Sequence, residues 1–152
     1  MSDPIEFQDK TPRLGLPLLY AGQSQREVFV NEAHALIDAL LHGAVEGLAN
    51  DPPPAPADGL NWLVASAPTG AWSGRTGAIA VRQGGNWLFV PPRDGMRLLD
   101  RSTGQALVHA GGWRKPARPP APAGGGVVDA EARVAISQLI SVLCDAGIIP
   151  SG

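Results

Sequence analysis

Residues 77–92 read Gly77-Ala78-Ile79-Ala80-Val81-Arg82-Gln83-Gly84-Gly85-Asn86-Trp87-Leu88-Phe89-Val90-Pro91-Pro92, and they decide the fold class. Two short apolar runs flank a Gly-Gly pair. Both glycines can take the positive φ that a tight antiparallel hairpin needs. Ile, Val, Trp and Phe suit a pleated, half-buried surface, and Pro91-Pro92 ends the second run because proline cannot donate to a ladder. Working outward, Asn61-Trp62-Leu63-Val64-Ala65 precedes the hairpin, and Met96-Arg97-Leu98-Leu99 and Ala106-Leu107-Val108 follow it. Turn chemistry separates them at Pro91 to Gly95 and at Arg101-Ser102-Thr103-Gly104. The pattern predicts a five-strand β-meander over residues 58–114. So small a sheet buries little area alone and needs a cover.

Residues 33–48 offer one. Ala33, Leu36, Ile37, Leu40, Leu41, Ala44, Val45 and Leu48 recur at helical spacing. Asn31 is the expected N-cap, with a short helical turn over Gly22 to Val28 ahead of it; Gly43 and Gly47 weaken the end. A second helix is expected after Asp129, which can cap it, with Glu131 favourable to the dipole in the first turn. Its stripe is Ala132, Ile136, Leu139, Ile140, Leu143 and Ala146, and Gly147 suits the position after its end. The fold class is therefore α+β: a small antiparallel β-meander sheet covered by an amphipathic helix, with an extended N-terminal arm and a C-terminal helix. Pro clusters at 51–57 and 115–122, the latter running into Gly124-Gly125-Gly126, read as linkers. The expected organisation is an arm at 1–20, a helical segment at 21–50, a body at 58–114, a Pro/Gly linker at 115–126 and a C-terminal helix at 127–152.

Composition narrows the function classes. The chain has 152 residues with 15 Pro, 19 Gly, 44% apolar and 17% charged residues, a net charge of −2 and one cysteine. Collagen, coiled-coil rod, disulfide scaffold and wholly disordered chain are excluded. The net charge favours neither nucleic acid nor an anionic membrane as partner. The start, Met1-Ser2-Asp3-Pro4-Ile5-Glu6, has no signal-peptide pattern, and no apolar run reaches the ~18 residues of a membrane span. A cytoplasmic site of synthesis is expected. Charge is uneven: residues 1–57 carry −5, residues 58–114 carry +3 and residues 115–152 carry none. An acidic arm beside a basic body can pair within a chain or between subunits.

The residues that chemistry would need are few. His34, Asp38 and His42 share one helix face at four-residue spacing, a geometry that can hold a divalent metal; the plainer reading is a solvated flank. His109 reads as an exposed strand position, and Arg114, Lys115 and Arg118 as a solvated linker cluster. No Gly-x-Ser-x-Gly elbow or phosphate-binding glycine loop occurs. Asp94 and Asp100 are the acids within the later strands, both in turns. The expectation is a protein without catalytic residues, cofactor or metal. Trp72, Trp87 and Trp113 each follow a glycine turn, and serve either as core or as a platform for a sugar ring or a partner.

Thr11-Pro12-Arg13-Leu14-Gly15-Leu16-Pro17-Leu18-Leu19, Gly22-Gln23-Ser24-Gln25, Val30-Asn31-Glu32-Ala33 and Leu36-Ile37-Asp38-Ala39-Leu40 together resemble the opening of a domain of unknown function. That family is common in proteins of alphaproteobacterial prophages and gene transfer agents, of tail-fibre or head-spike type. The likeness continues through Gly70-Ala71-Trp72-Ser73-Gly74, Gly85-Asn86-Trp87 to Met96, and Gly112-Trp113. Trp62 stands where a Tyr is usual, and Cys144-Asp145 where a basic residue or His often precedes the last glycine. The resemblance implies a virion structural protein, assembled in the bacterial cytoplasm and seated in a phage-like particle: a head-spike base or fibre-attachment component of a gene transfer agent. The implied partners are a major capsid protein, a spike or fibre protein, and further copies of the chain, a pentamer at a capsid vertex or alternatively a trimer. Pro12, Arg13, Leu14, Leu16 and Leu18 would form a capsid-docking arm, and Ile136, Leu139, Ile140 and Leu143 an oligomerisation helix. The alternative is a tail-fibre or receptor-binding module that touches host capsular polysaccharide through Trp72, Trp87 and Trp113.

Overall fold

A computed structural model describes residues 9–22, 26–126 and 129–150. The chain divides into two compact units, Met1–Pro92 and Arg93–Gly152. In chain order the elements are α1 (Arg26–Leu40), β1 (Ala44–Val45), β2 (Leu48–Ala49), β3 (Asn61–Val64), β4 (Ile79–Gln83), β5 (Asn86–Val90), β6 (Arg97–Asp100), β7 (Gln105–His109), β8 (Trp113–Arg114) and α2 (Ala130–Asp145). The α+β class holds. The expected single meander does not: β3 to β5 belong to the first unit and β6 to β8 to the second. The division falls at Pro91-Pro92, where two successive residues lack the N–H a continuous ladder requires.

In the first unit the sheet order is β2-β3-β4-β5. Strand β2 runs parallel to β3, while β3-β4 and β4-β5 are antiparallel. The hairpin forms as expected, with Gln83 opposite Asn86 and Gly84 and Gly85 at φ 56° and 75°. Register sets the two faces. Trp62, Ala80 and Phe89 lie side by side on one face, with Arg82 opposite Trp87 two residues along. On the other face Leu63, Ile79 and Val81 are buried. The small Ala80 leaves room above the first face, and Trp72 fills it from a short 3-10 turn, Gly70–Trp72, at 0% exposure.

The Pro-rich stretch 51–57 lies inside this unit and is no boundary. Thr69 N–H donates to Asn50 O at 2.9 Å, Ala67 N–H donates to Asn50 Oδ1 at 3.0 Å, and Thr69 Oγ1 donates to Asp51. Those bonds fix the turn that carries Trp72.

The helix ends earlier than its apolar pattern predicts. His42 adopts φ 56°, and residues 44–49 run as short strands, not as the continuation of a helix to 48. It also faces the other way. Its buried residues are Ala35, Asp38 and Ala39, while Phe29, Ile37 and Leu41 are 75%, 47% and 52% exposed. Asn31 sits within the helix and is not its cap. A cleft of about 330 Å³ opens between α1 and the hairpin, lined by Leu18, Val28, Asn31, Ala35, Gln83 and Leu88.

In the second unit β6, β7 and β8 pair antiparallel, Leu98 opposite Leu107 and His109 opposite Trp113. The linker 115–126 has no regular structure. Asp129 caps α2 as expected, accepting from Ala132 N–H at 2.9 Å. At the far end Gly147 N–H donates to Cys144 O and Ile148 N–H to Leu143 O, both at 2.9 Å, a Schellman closure. The tail is tied to β7 by Ala106 N–H on Gly147 O at 2.7 Å. The helix itself buries one residue, Ile140.

Candidate functional site

The polar residues of α1 make a socket for the chain that precedes it. Residues 11–16 close into a turn, with Thr11 N–H donating to Leu16 O at 2.9 Å and Gly15 N–H to Thr11 O at 3.2 Å. A backbone so bent exposes amides that need acceptors. Asp38, 2% exposed, supplies them: it accepts from Thr11 Oγ1 at 2.8 Å, Arg13 N–H at 3.0 Å and Leu14 N–H at 2.5 Å. Asn31 grips Leu19 at both backbone groups, accepting at 2.8 Å and donating at 3.0 Å. His34 Nδ1 lies 2.8 Å from Pro17 O; a carbonyl only accepts, so that nitrogen carries the proton. Ala35 and Ala39 are small enough to let the loop come close.

Arg13 completes the junction. Its guanidinium donates to Asp38 O at 2.9 Å, Ala39 O at 2.7 Å and His42 O at 3.1 Å, satisfying carbonyls that a helix end leaves orphaned. On the other side Pro12 packs against Gly59, where φ is +85° and an added Cβ would stand 2.9 Å from Pro12 Cγ. Only glycine fits there.

The expectation of an extended arm is therefore corrected over residues 9–20: this stretch is a folded loop, and residues 1–8 lie outside those described. Arg13 is committed to α1, Leu16 is half-buried and Leu18 lines the cleft, while Leu14 stays 41% exposed at the loop tip. The solvated-flank reading of His34, Asp38 and His42 fails at Asp38, which is buried, while His34 is half-buried and His42 exposed beyond the helix end. Asp38 is the buried hub of a loop, and among the described residues no group of three or more His, Cys, Asp and Glu could hold a metal ion.

The tryptophans separate into two settings. Trp62, Trp72 and Trp87 form one cluster, with centroids 5.1 Å apart for Trp72 and Trp87 and 5.8 Å apart for Trp62 and Trp87, both pairs edge-to-face. Arg75 lies 4.9 Å over Phe89 and Arg82 5.3 Å over Trp87. Full burial removes Trp72 from any sugar platform and makes it core; Trp87 stays half-buried.

Trp113 belongs to the second unit, edge-on to His109 at 5.1 Å. His109 is not an exposed strand position, since its side chain is 14% exposed and its Nδ1 meets Asp94 Oδ1 at 2.8 Å. Asp94 also accepts from Gly111 N–H at 2.7 Å. That backbone hydrogen bond, then the one with His109, holds the Asp94 carboxyl below its usual range.

Asp100 and Lys115 form a second polar anchor. Asp100 is fully buried and meets Lys115 Nζ at 2.6 Å, Ser102 Oγ at 2.6 Å and Ser102 N–H at 2.9 Å. Burial pushes its carboxyl up, but these donors outweigh burial and leave it below the usual carboxylate value. Lys115 is thus tied to a buried acid, although the residue itself stays exposed. Gln105, also buried, donates to Pro116 O at 2.8 Å and Ile148 O at 3.4 Å. Sequence reasoning passed over Gln105, for which a lone polar residue opening an apolar strand was the available signal, and read Lys115 without its acid.

Of the expected oligomerisation residues, Ile140 is buried in its own unit, whereas Ile136, Leu139 and Leu143 are 43%, 62% and 37% exposed. Among the described residues no helix is long and apolar enough to cross a membrane. No curated protein matches the chain. The sequence profile described as protein of unknown function (DUF2793) matches residues 30–114, from within α1 to the end of β8 and more than half of the chain. The chain belongs to that family.

Proposed function

We propose that this protein is a structural component of a phage-like particle, a head-spike base or fibre-attachment subunit of the gene transfer agent type. It works as a homo-oligomer between capsid and fibre. The observation that carries the reading is the pair of helices that turn apolar residues outward, Phe29 at 75% and Leu139 at 62% exposure. Large exposed apolar side chains gathered on helix faces mark surfaces for association. The folded loop supports the reading, since it presents the exposed Leu14, held at its tip by Asp38, on a rigid support.

Particles purified from a producing strain that carries an epitope-tagged chain test this directly. Label on capsid vertices or at the tail is expected, and tagged protein left wholly in the particle-free fraction overturns the reading. Leu14→Asp alters an exposed side chain and leaves the Asp38 bonds in place, so a folded variant absent from particles is expected.

A further inference from the structure

The sheet of the first unit has two unlike edges. At one, β2 is only two residues long. At the other, β5 runs for five residues, Asn86-Trp87-Leu88-Phe89-Val90, paired to β4 in one unbroken register. Edge strands are ordinarily blunted by charge, proline, a bulge or shortness. Between Asn86 and Val90, β5 has no charge, no proline and no bulge.

Register decides which of its backbone groups are open. Arg82 N–H donates to Leu60 O at 3.0 Å, and Arg82 O accepts from Gly59 N–H at 2.8 Å, so the Arg82 backbone is committed to the β3 side. Trp87 lies opposite Arg82, and Phe89 opposite Ala80. In an antiparallel ladder the N–H and C=O of Trp87 and Phe89 therefore point away from β4, while those of Asn86, Leu88 and Val90 point into it. Among the described residues none bonds to these four outward groups. The open stretch is bounded at both ends. Pro91, the next outward position, has no N–H, and the Gly85 amide on the other side is taken by Asp58 Oδ1 at 3.2 Å.

We infer that β5 pairs antiparallel with β5 of a second copy, across a two-fold axis at Leu88. Trp87 of each copy then stands opposite Phe89 of the other, and four hydrogen bonds use every outward group of both strands. Other registers lose bonds. An axis at Trp87 sets Phe89 against Gly85, whose amide is occupied, and an axis at Phe89 sets Trp87 against Pro91, which cannot donate. Side chains agree with the backbone. On one face Trp87 meets Phe89, continuing the Trp62, Trp72, Trp87 cluster from copy to copy. On the other Leu88 meets Leu88, beside the cleft lined by Leu18 and Val28. An uncharged strand brings no like charges together on the axis. The cations on the aromatic face are already engaged, Arg82 over Trp87 with Asp58 at 3.9 Å and Arg75 over Phe89. The contact is isologous and closes at two copies. It uses neither helix, so it goes beyond the assembly reading above and does not rest on it.

Amide exchange in the purified chain reads the pairing residue by residue. In dilute protein the Trp87 and Phe89 amides should exchange fast and those of Leu88 and Val90 slowly. At high concentration Trp87 and Phe89 should slow roughly tenfold or more, with Leu88 unchanged. Fast exchange of both at every concentration leaves the edge to a different chain and overturns the inference. Slow exchange at the lowest concentration supports it when light scattering gives the mass of a dimer, and overturns it when the mass is that of a monomer. Leu88→Glu and Leu88→Lys each set like charges against each other on the axis, so each should keep its circular dichroism and lose the concentration-dependent protection. Mixed one to one, the two variants should pair and regain it. A charge variant that keeps the protection, or a folded pair that fails to regain it when mixed, overturns the inference; if either variant does not fold, the concentration series of the parent chain decides. None of these readings bears on whether the chain is found in particles, which the tagging experiment reads separately.

Discussion

The two units close their small sheets by different means. In the first, three indoles meet around Ala80, and Trp72 reaches 0% exposure. In the second, the buried side of the sheet ends in Asp100 and Gln105, held by Lys115, Ser102 and the backbone of the tail. Aromatic packing tolerates changes of pH and salt, whereas a buried carboxylate holds its place only while its donors remain. The helices differ in the same way. Polar bonds clamp α1 to a loop, while α2 contributes a single side chain to its core. A unit can thus hold a helix firmly and still leave that helix's apolar side open.

The largest expected effect tests the aromatic half. Trp72→Ala removes the centre of the cluster and should cost about 3–5 kcal/mol, as for other buried Trp truncations. Hydrogen exchange should rise at Ala80 and Val81 and stay unchanged at Leu98 and Leu107. Equal loss in both units would dissolve the contrast.

Asp38→Ala comes next. It strands a buried hydroxyl and two backbone amides, for a loss of about 2–4 kcal/mol. Chemical denaturation should show it, with selective release of residues 11–18 in exchange measurements.

Lys115→Met leaves Asp100 buried beside Ser102 alone and should cost about 1–3 kcal/mol. The same anchor has a pH signature. The folded Asp100 carboxyl lies below its ordinary 3.8, so its contribution is complete above that value and is lost as pH falls through the lower folded value. Acid titration should loosen the second unit over that window, and Asp100→Asn should remove that component of the dependence. Smallest of all, Asp94→Ala should leave global stability nearly unchanged and speed exchange at the Gly111 amide.

Much of this architecture was legible beforehand. The Gly84-Gly85 hairpin, the later strands and the Asp129 cap follow from local chemistry, which acts over a few residues. What failed was any inference about who covers whom. Leu36, Ile37 and Leu40 announce a helix by their spacing, but periodicity names a face without naming its partner. The face that packs is Asn31, His34, Ala35, Asp38 and Ala39, because a bent loop offers amides and carbonyls in place of apolar surface. Asp38 bonds residues 24 to 27 positions away, a separation at which no local rule applies. Lys115 looked unpaired for the same reason, since its acid lies 15 residues earlier.

The account depends on the apolar side of α1 being open in the lone chain. Cysteines placed at Ile37 and at Ala39, each with Cys144→Ser and at low protein concentration, measure this by their rates of thiol alkylation. The cysteine at 37 should react nearly as fast as a free thiol and the one at 39 far more slowly. Equally slow reaction at both positions would show that the chain covers this face itself, and would contradict the account.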